Sequence, residues 1–197
     1  MSFSKQTIRD VPLDNRTVLV RVDYDVPLNV LGVISDDSRI RASLPTLEYL
    51  LDRGCKVVII SHLGHPNGYE RRYSLEPIAL RLAQLLKRDL RFIEGVFGDR
   101  VYQAVKRAPK NSVIMLENLH FHDGEEANDP DFAMKIVRST GARYFIQDGF
   151  SLIHQARAST DAITVFVPGV AGFLVEREYG VILNATELPG IKSLLDA

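Results

Sequence analysis

The stretch TVLVRVDYDVP, residues 17–27, sets the reading of the whole chain. Its first six residues, Thr17–Val22, are mostly β-branched and, Arg21 apart, suited to one buried strand, and Asp23 and Asp25 close it. The same grammar recurs at Lys56–Ser61 (KVVIIS), Ser112–Leu116 (SVIML), Tyr144–Ile146 (YFI) and Ile163–Val167 (ITVFV), with Leu90–Ile93 as a short extra strand. Helical periodicity fills the intervals at Leu44–Leu51, Leu75–Leu86, Asp99–Lys106 and Phe132–Val137. Gly54 follows the first of these, Pro77 stands in the first turn of the second, and Pro45 reads as a first-turn residue. Continuous apolar strands alternating with helices give an α/β, Rossmann-like three-layer domain: a mainly parallel sheet with helices on both faces. After Pro168, Gly169 and Gly172 break the pattern, Phe173–Leu183 can form one more helix before Pro189-Gly190 breaks it again.

The chemistry-bearing residues gather where strands end. Asp23 and Asp25 follow the first strand, His62 and His65 (SHLGHP) the second. Glu117, Asn118, His120 and His122 (ENLHFHDGEE) follow the Ser112 strand, and Asp148, His154, Gln155 and Arg157 (DGFSLIHQARAST) follow the Tyr144 strand. In an open parallel sheet the carboxyl ends of the strands share one edge, and ligands bind in the crevice there. All five histidines fall in these loops. Each has a plainer reading as well, since an Asp at a strand end caps turns and a lone His is often a satisfied structural side chain.

Composition narrows the field. With 24 Lys+Arg against 25 Asp+Glu, a net charge of −1 argues against nucleic-acid or membrane-surface binding by bulk charge. The single cysteine, Cys55, has no partner for an intrachain disulfide and reads as core; a reduced, cytoplasmic setting is expected. No apolar run approaches membrane-spanning length. GxxxxGK[ST], GxGxxG and GxSxG are all absent, so neither a familiar nucleotide cradle nor serine hydrolysis is supported.

Seven segments in order, VLVRVDYDVP, DDSRIRASLPTLEYLL, SHLGHP, YSLEPIA, LENLHFH, GEEANDP and AGFL, resemble the phosphoglycerate kinase family. The resemblance runs from Thr7 to Glu178 and covers that family's N-terminal, 3-phosphoglycerate-binding domain. It implies a domain over 1–171 and the start of an interdomain helix with its tail over 172–197, without the C-terminal domain that binds the nucleotide. No cofactor is then expected on this chain alone; Mg-ATP or Mg-ADP enters only if a partner supplies that domain. It also implies that Asp23 holds a substrate hydroxyl, that Arg39 acts on the transferred phosphoryl group as the catalytic residue, and that His62 belongs to the substrate loop. Five positions in four motifs depart from the family pattern. DFNVP reads DYDVP, placing Asp25; SHLGRP places His65; LENLRFH places His120; and HRAH reads His154-Gln155-Ala156-Arg157. Counting histidines neutral, positions 25, 65, 120 and 155 each lose one charge and 157 gains one, so the site becomes more negative by three.

A charge-assisted hydrogen bond to phosphate is worth about 1.5–3 kcal/mol, and arginine offers a fork that neutral His and Gln lack. Losing three such donors is expected to weaken phosphate binding on the order of a thousandfold. The leading expectation is therefore a half protein that does not catalyse phosphoryl transfer between 1,3-bisphosphoglycerate and ADP by itself, a binding or regulatory remnant with weak affinity for a phosphorylated small molecule. The alternatives are the substrate half of a split glycolytic kinase completed by a partner chain, and a His-rich metal- or anion-binding protein in which His62, His65, His120 and His122 act with Asp23, Asp25 and Asp148. In the milder, anion-binding form, imidazoles charged below about pH 6.5 attract the ligand. The apolar residues of 172–184 are expected to fold back, form a homodimer or dock on a partner chain.

Overall fold

The computed structural model describes residues 5–186. β1 (Thr17–Arg21), β2 (Lys56–Ile60), β3 (Leu90–Ile93), β4 (Val113–Leu116), β5 (Tyr144–Gln147) and β6 (Gly169–Ala171) form one sheet in the order β3-β4-β2-β1-β5-β6. Every pairing is parallel, with Thr17 level with Lys56 and Val18 level with Tyr144. The helices are α1 (Ser38–Asp52), α2 (Glu76–Leu86), α3 (Asp99–Arg107), the single turn α4 (Asp123–Glu126), α5 (Pro130–Thr140) and α6 (Phe173–Thr186).

Alternation along each strand divides the core into two layers. Val18 and Val20 of β1, Val57 and Ile59 of β2, and Val113 and Met115 of β4 face Ile40, Leu47 and Leu50 of α1 and Ile78 and Leu82 of α2. Leu19, Val58, Ile60, Ile114 and Leu116 face the other way, onto Val101 and Val105 of α3 and Phe132 and Ile136 of α5. Cys55 lies inside the first layer, its thiol donating to the Leu13 carbonyl, and burial pushes its pKa up to about 11. No described helix is long and apolar enough to cross a membrane.

Two expectations need correction. Ile163–Val167 is not a strand: Ala162–Val165 is a 3-10 turn, with Ile163 buried on α5's side while Val165 is 79% exposed, so the run lacks strand alternation. The edge strand is the plainer Gly169–Ala171, whose outer side is covered when Ala171 N–H donates to Gln6 and Ile8 N–H donates to the Ala171 carbonyl. Pro45 sits in the interior of α1, not its first turn, because the helix begins at Ser38. The polar start Ser38–Arg41 hides the onset from a hydrophobic-period reading, although Ile40 is already buried.

The last helix folds back over its first half. Phe173 meets Tyr49 of α1 edge-on at 5.0 Å, Arg9 lies 4.1 Å above the Phe173 ring and pairs with Glu176, and Val175 is buried. Val181 and Ile182 remain exposed, whereas the side chain of Leu183 and the Pro189-Gly190 break lie outside the described residues.

Candidate functional site

The loops after β1, β2, β4 and β5 converge at the carboxyl edge of the sheet and carry three arginine–carboxylate pairs. The innermost was not singled out from the sequence. Arg21, the last residue of β1, is fully buried; its Nε donates to Ser159 Oγ at 2.8 Å and its Nη1 to the Val22 carbonyl at 2.7 Å. Glu125, equally buried, stands 3.8 Å away and also accepts from the Ser159 backbone N–H. Arg21 Nη2 donates to His62 Nδ1 at 3.2 Å. Burial draws the Arg21 pKa down while Glu125 opposes the shift.

At the mouth, Arg39 from the first turn of α1 forms a close ion pair with Asp23, and Ser151 donates to the same carboxylate. A cleft of about 210 Å³ is lined by Asp23, Arg39, Ser43, Asp148 and Ser151, small for a ligand pocket. Asp25 accepts from Gly64 N–H at 2.8 Å. Gly64 is required at this turn: its φ is +61°, and a Cβ would come within 2.4 Å of the Tyr73 ring.

The third pair ties His120 into a chain of contacts. His120 Nδ1 is 2.8 Å from the Gly64 carbonyl, which only accepts, and Nε2 is 2.7 Å from Arg157 Nη1, which only donates. The proton therefore sits on Nδ1 and the ring is neutral. Arg157 also pairs with Glu126 at 3.2 Å and donates from Nε to Gln155 Oε1 at 2.7 Å. The His62 and His120 rings lie 4.4 Å apart, and His65 stacks on His120 at 5.6 Å. Burial, reinforced by Arg21, holds His62 well below the usual imidazole range, and burial likewise lowers His120. Both shifts disfavour the charged imidazolium, the form that the expected attraction of anions requires.

Of the residues expected to form the site, Asp23, Asp25, Arg39, His62, His65, His120, Gln155 and Arg157 are brought to this edge. His154 is exposed and makes no side-chain hydrogen bond among the described residues. His122 lies instead among Phe97 and Phe132, at 5.5 and 5.4 Å. Glu117 and Asn118 are structural: Glu117 accepts from Ser74 and Leu75 at the start of α2, and Asn118 bonds the Leu63 and Tyr73 carbonyls. Asp148 is buried, accepting from Thr46 Oγ1 and from Leu174 N–H in the first turn of α6. Among the described residues, the potential metal ligands that meet are His65, His120 and Glu126, without any of the three aspartates.

The phosphoglycerate kinase family profile matches residues 8–193. The chain belongs to the phosphoglycerate kinase family. It is 45% identical over 185 residues to a phosphoglycerate kinase of Coprothermobacter proteolyticus, covering 93% of this chain and 47% of that protein. A phosphoglycerate kinase of Campylobacter hominis is also 45% identical, over 176 residues, with 87% and 43% covered. The crystal structure of phosphoglycerate kinase from Pyrococcus horikoshii OT3 superposes with a TM-score of 0.85 at 31% identity, covering 93% of this chain and 46% of that one. The chain thus spans about half the length of the phosphoglycerate kinases it matches, and the fold is that of their N-terminal domain. Arg21 and Glu125 hold the strand end from which Asp23 projects.

Proposed function

We propose that this chain is a phosphoglycerate-kinase-type substrate domain whose anion site is largely satisfied by its own carboxylates. By itself it binds 3-phosphoglycerate weakly and transfers no phosphoryl group, acting as a binding or regulatory form of the domain. One observation carries this reading: Arg39 and Arg157 are each answered by a carboxylate, Asp23 and Glu126, just as the buried Arg21 is by Glu125, while Asp25 adds a further negative charge. A phosphate must break one of these pairs before gaining a charge-assisted bond, which removes most of the net benefit. The histidines do not make up the difference, because His62 and His120 already accept hydrogen bonds from arginines.

Isothermal titration of the chelator-treated chain with 3-phosphoglycerate is expected to give affinity weaker than millimolar, and a coupled ATP assay is expected to be silent. Sub-millimolar binding overturns the reading. The retained Asp23 and Arg39 favour one other reading, the substrate half of a split glycolytic kinase. Turnover appearing when a separate nucleotide-binding half is added supports it; continued silence with both halves folded counts against it.

A further inference from the structure

We propose that His65, His120 and Glu126 form a binding site for a divalent transition-metal ion, zinc being the best fit. One ligand atom from each lies within 4.8 Å of the other two, drawn from the loop after β2, the loop after β4 and the end of α4. Two imidazole nitrogens and one carboxylate oxygen make the donor set of a three-ligand zinc centre with a fourth position open to water.

The strongest support lies in how His120 is held. Its Nδ1–H donates to the Gly64 carbonyl, the outer contact that orients a metal-ligating imidazole and leaves Nε2, the nitrogen that meets Arg157, as the ligand atom. A cation already stands there: Arg157 Nη1 lies 2.7 Å from His120 Nε2 and 3.2 Å from a Glu126 oxygen, bridging two of the three proposed ligands. Arg157 is thus an internal plug. Its Nε bond to Gln155 gives the displaced side chain a place to stay when metal takes over Nε2 and the carboxylate. His65 and Glu126 are exposed, so the ion enters from solvent and the two side chains can close the remaining distance. Binding exchanges one guanidinium for one dication: the Arg157 contacts with His120 and Glu126 give way to metal–ligand bonds, and no covalent bond of the chain is made or broken.

The plug gives the test a signature that a nonspecific surface site lacks. The chain, purified without a His-tag and stripped with chelator, is titrated with Zn²⁺ against a chromogenic competitor and with Co²⁺ by visible spectroscopy. One equivalent of Zn²⁺ is expected to bind, with a tetrahedral Co²⁺ spectrum. His65→Ala and Glu126→Gln, both surface changes, are each expected to weaken binding about tenfold or more. Arg157→Ala is expected to tighten it, because the competing cation is gone. Failure of the chain to retain Zn²⁺ at micromolar free metal overturns the proposal. Binding indifferent to His65→Ala and Glu126→Gln, or weakened by Arg157→Ala in a folded protein, also overturns it. Phosphoglycerate affinity is measured separately in chelator, so neither result decides the other.

Discussion

Arg21 occupies a place where a lone guanidinium is intolerable: the inner end of a central parallel strand, with no exposed surface. Glu125, Ser159, the Val22 carbonyl and His62 together meet its donors. Removing one partner of such a pair leaves the other charge buried and unanswered. Glu125→Ala is expected to cost about 3–5 kcal/mol by denaturant unfolding, whereas Arg100→Ala, which breaks an exposed pair with Glu94, should cost under about 1 kcal/mol. Equal effects would show that the buried pair is not structural. The signal for Arg21 was present in TVLVRV, where an arginine interrupts an apolar strand and demands a partner. Its partner was not legible, because Glu125 lies on a short helical turn far along the chain and reads there as one of several solvated acids. The edge itself was legible for a simpler reason: Asp23, Asp25, His62, His65, His120, Gln155 and Arg157 all follow apolar strands, and a parallel sheet must bring those ends together.

Among the elements, α6 is fastened to the sheet at a joint that titrates. Asp148 at the end of β5 accepts from the α6 backbone at Leu174 and from Thr46 on α1, while Thr46 Oγ1 accepts from Phe173 N–H. Gly172 between β6 and α6 makes room, since a Cβ there would fall 2.1 Å from the Asp148 carboxylate. Its second oxygen is buried with no described partner, and burial pushes the pKa up to about 7. An unfolded aspartate titrates near about 3.9. Between those values the folded protein keeps a proton that the unfolded chain has released. Stability therefore falls as pH rises from about 4 to about 7, and the loss is complete above that range. Asp148→Asn keeps the acceptor without the charge. The melting temperature of the variant minus that of the native chain should be several degrees larger at pH 8 than at pH 4; a difference independent of pH would contradict the assignment. The sequence placed Asp148 at the ligand edge, since position alone does not separate a ligand from a cap. The Ile163–Val167 error has a similar origin. A β-branched run looks like a strand, yet the edge position beside β5 goes to Gly169–Ala171, where Phe145 N–H donates to the Pro168 carbonyl and the 6–8 segment seals the outside.

At the scale of the molecule, the fold is that of a phosphoglycerate-kinase N-terminal domain, and three arginines at its carboxyl edge each pair with a carboxylate of the same chain. The sheet, its two core layers and the convergence of four loops are what the resemblance implies, and the 0.85 TM-score agrees. The partnering of the cations depends on contacts between loops distant in sequence and so lies beyond motif reading. The chain's near-neutral total therefore reflects local cancellation at this edge as well as a balanced surface. The decisive comparison is the 3-phosphoglycerate affinity, in chelator, of the native chain and of an Asp25→Asn, His65→Arg, Glu126→Gln variant. That variant removes two carboxylates, adds a guanidinium and frees Arg157. At about 1.4 kcal/mol per tenfold, the account predicts that it binds at least about a hundredfold more tightly than the native chain. Equal affinities in two folded proteins, or sub-millimolar binding by the native chain, would contradict the claim that this site's positive charge is spent internally.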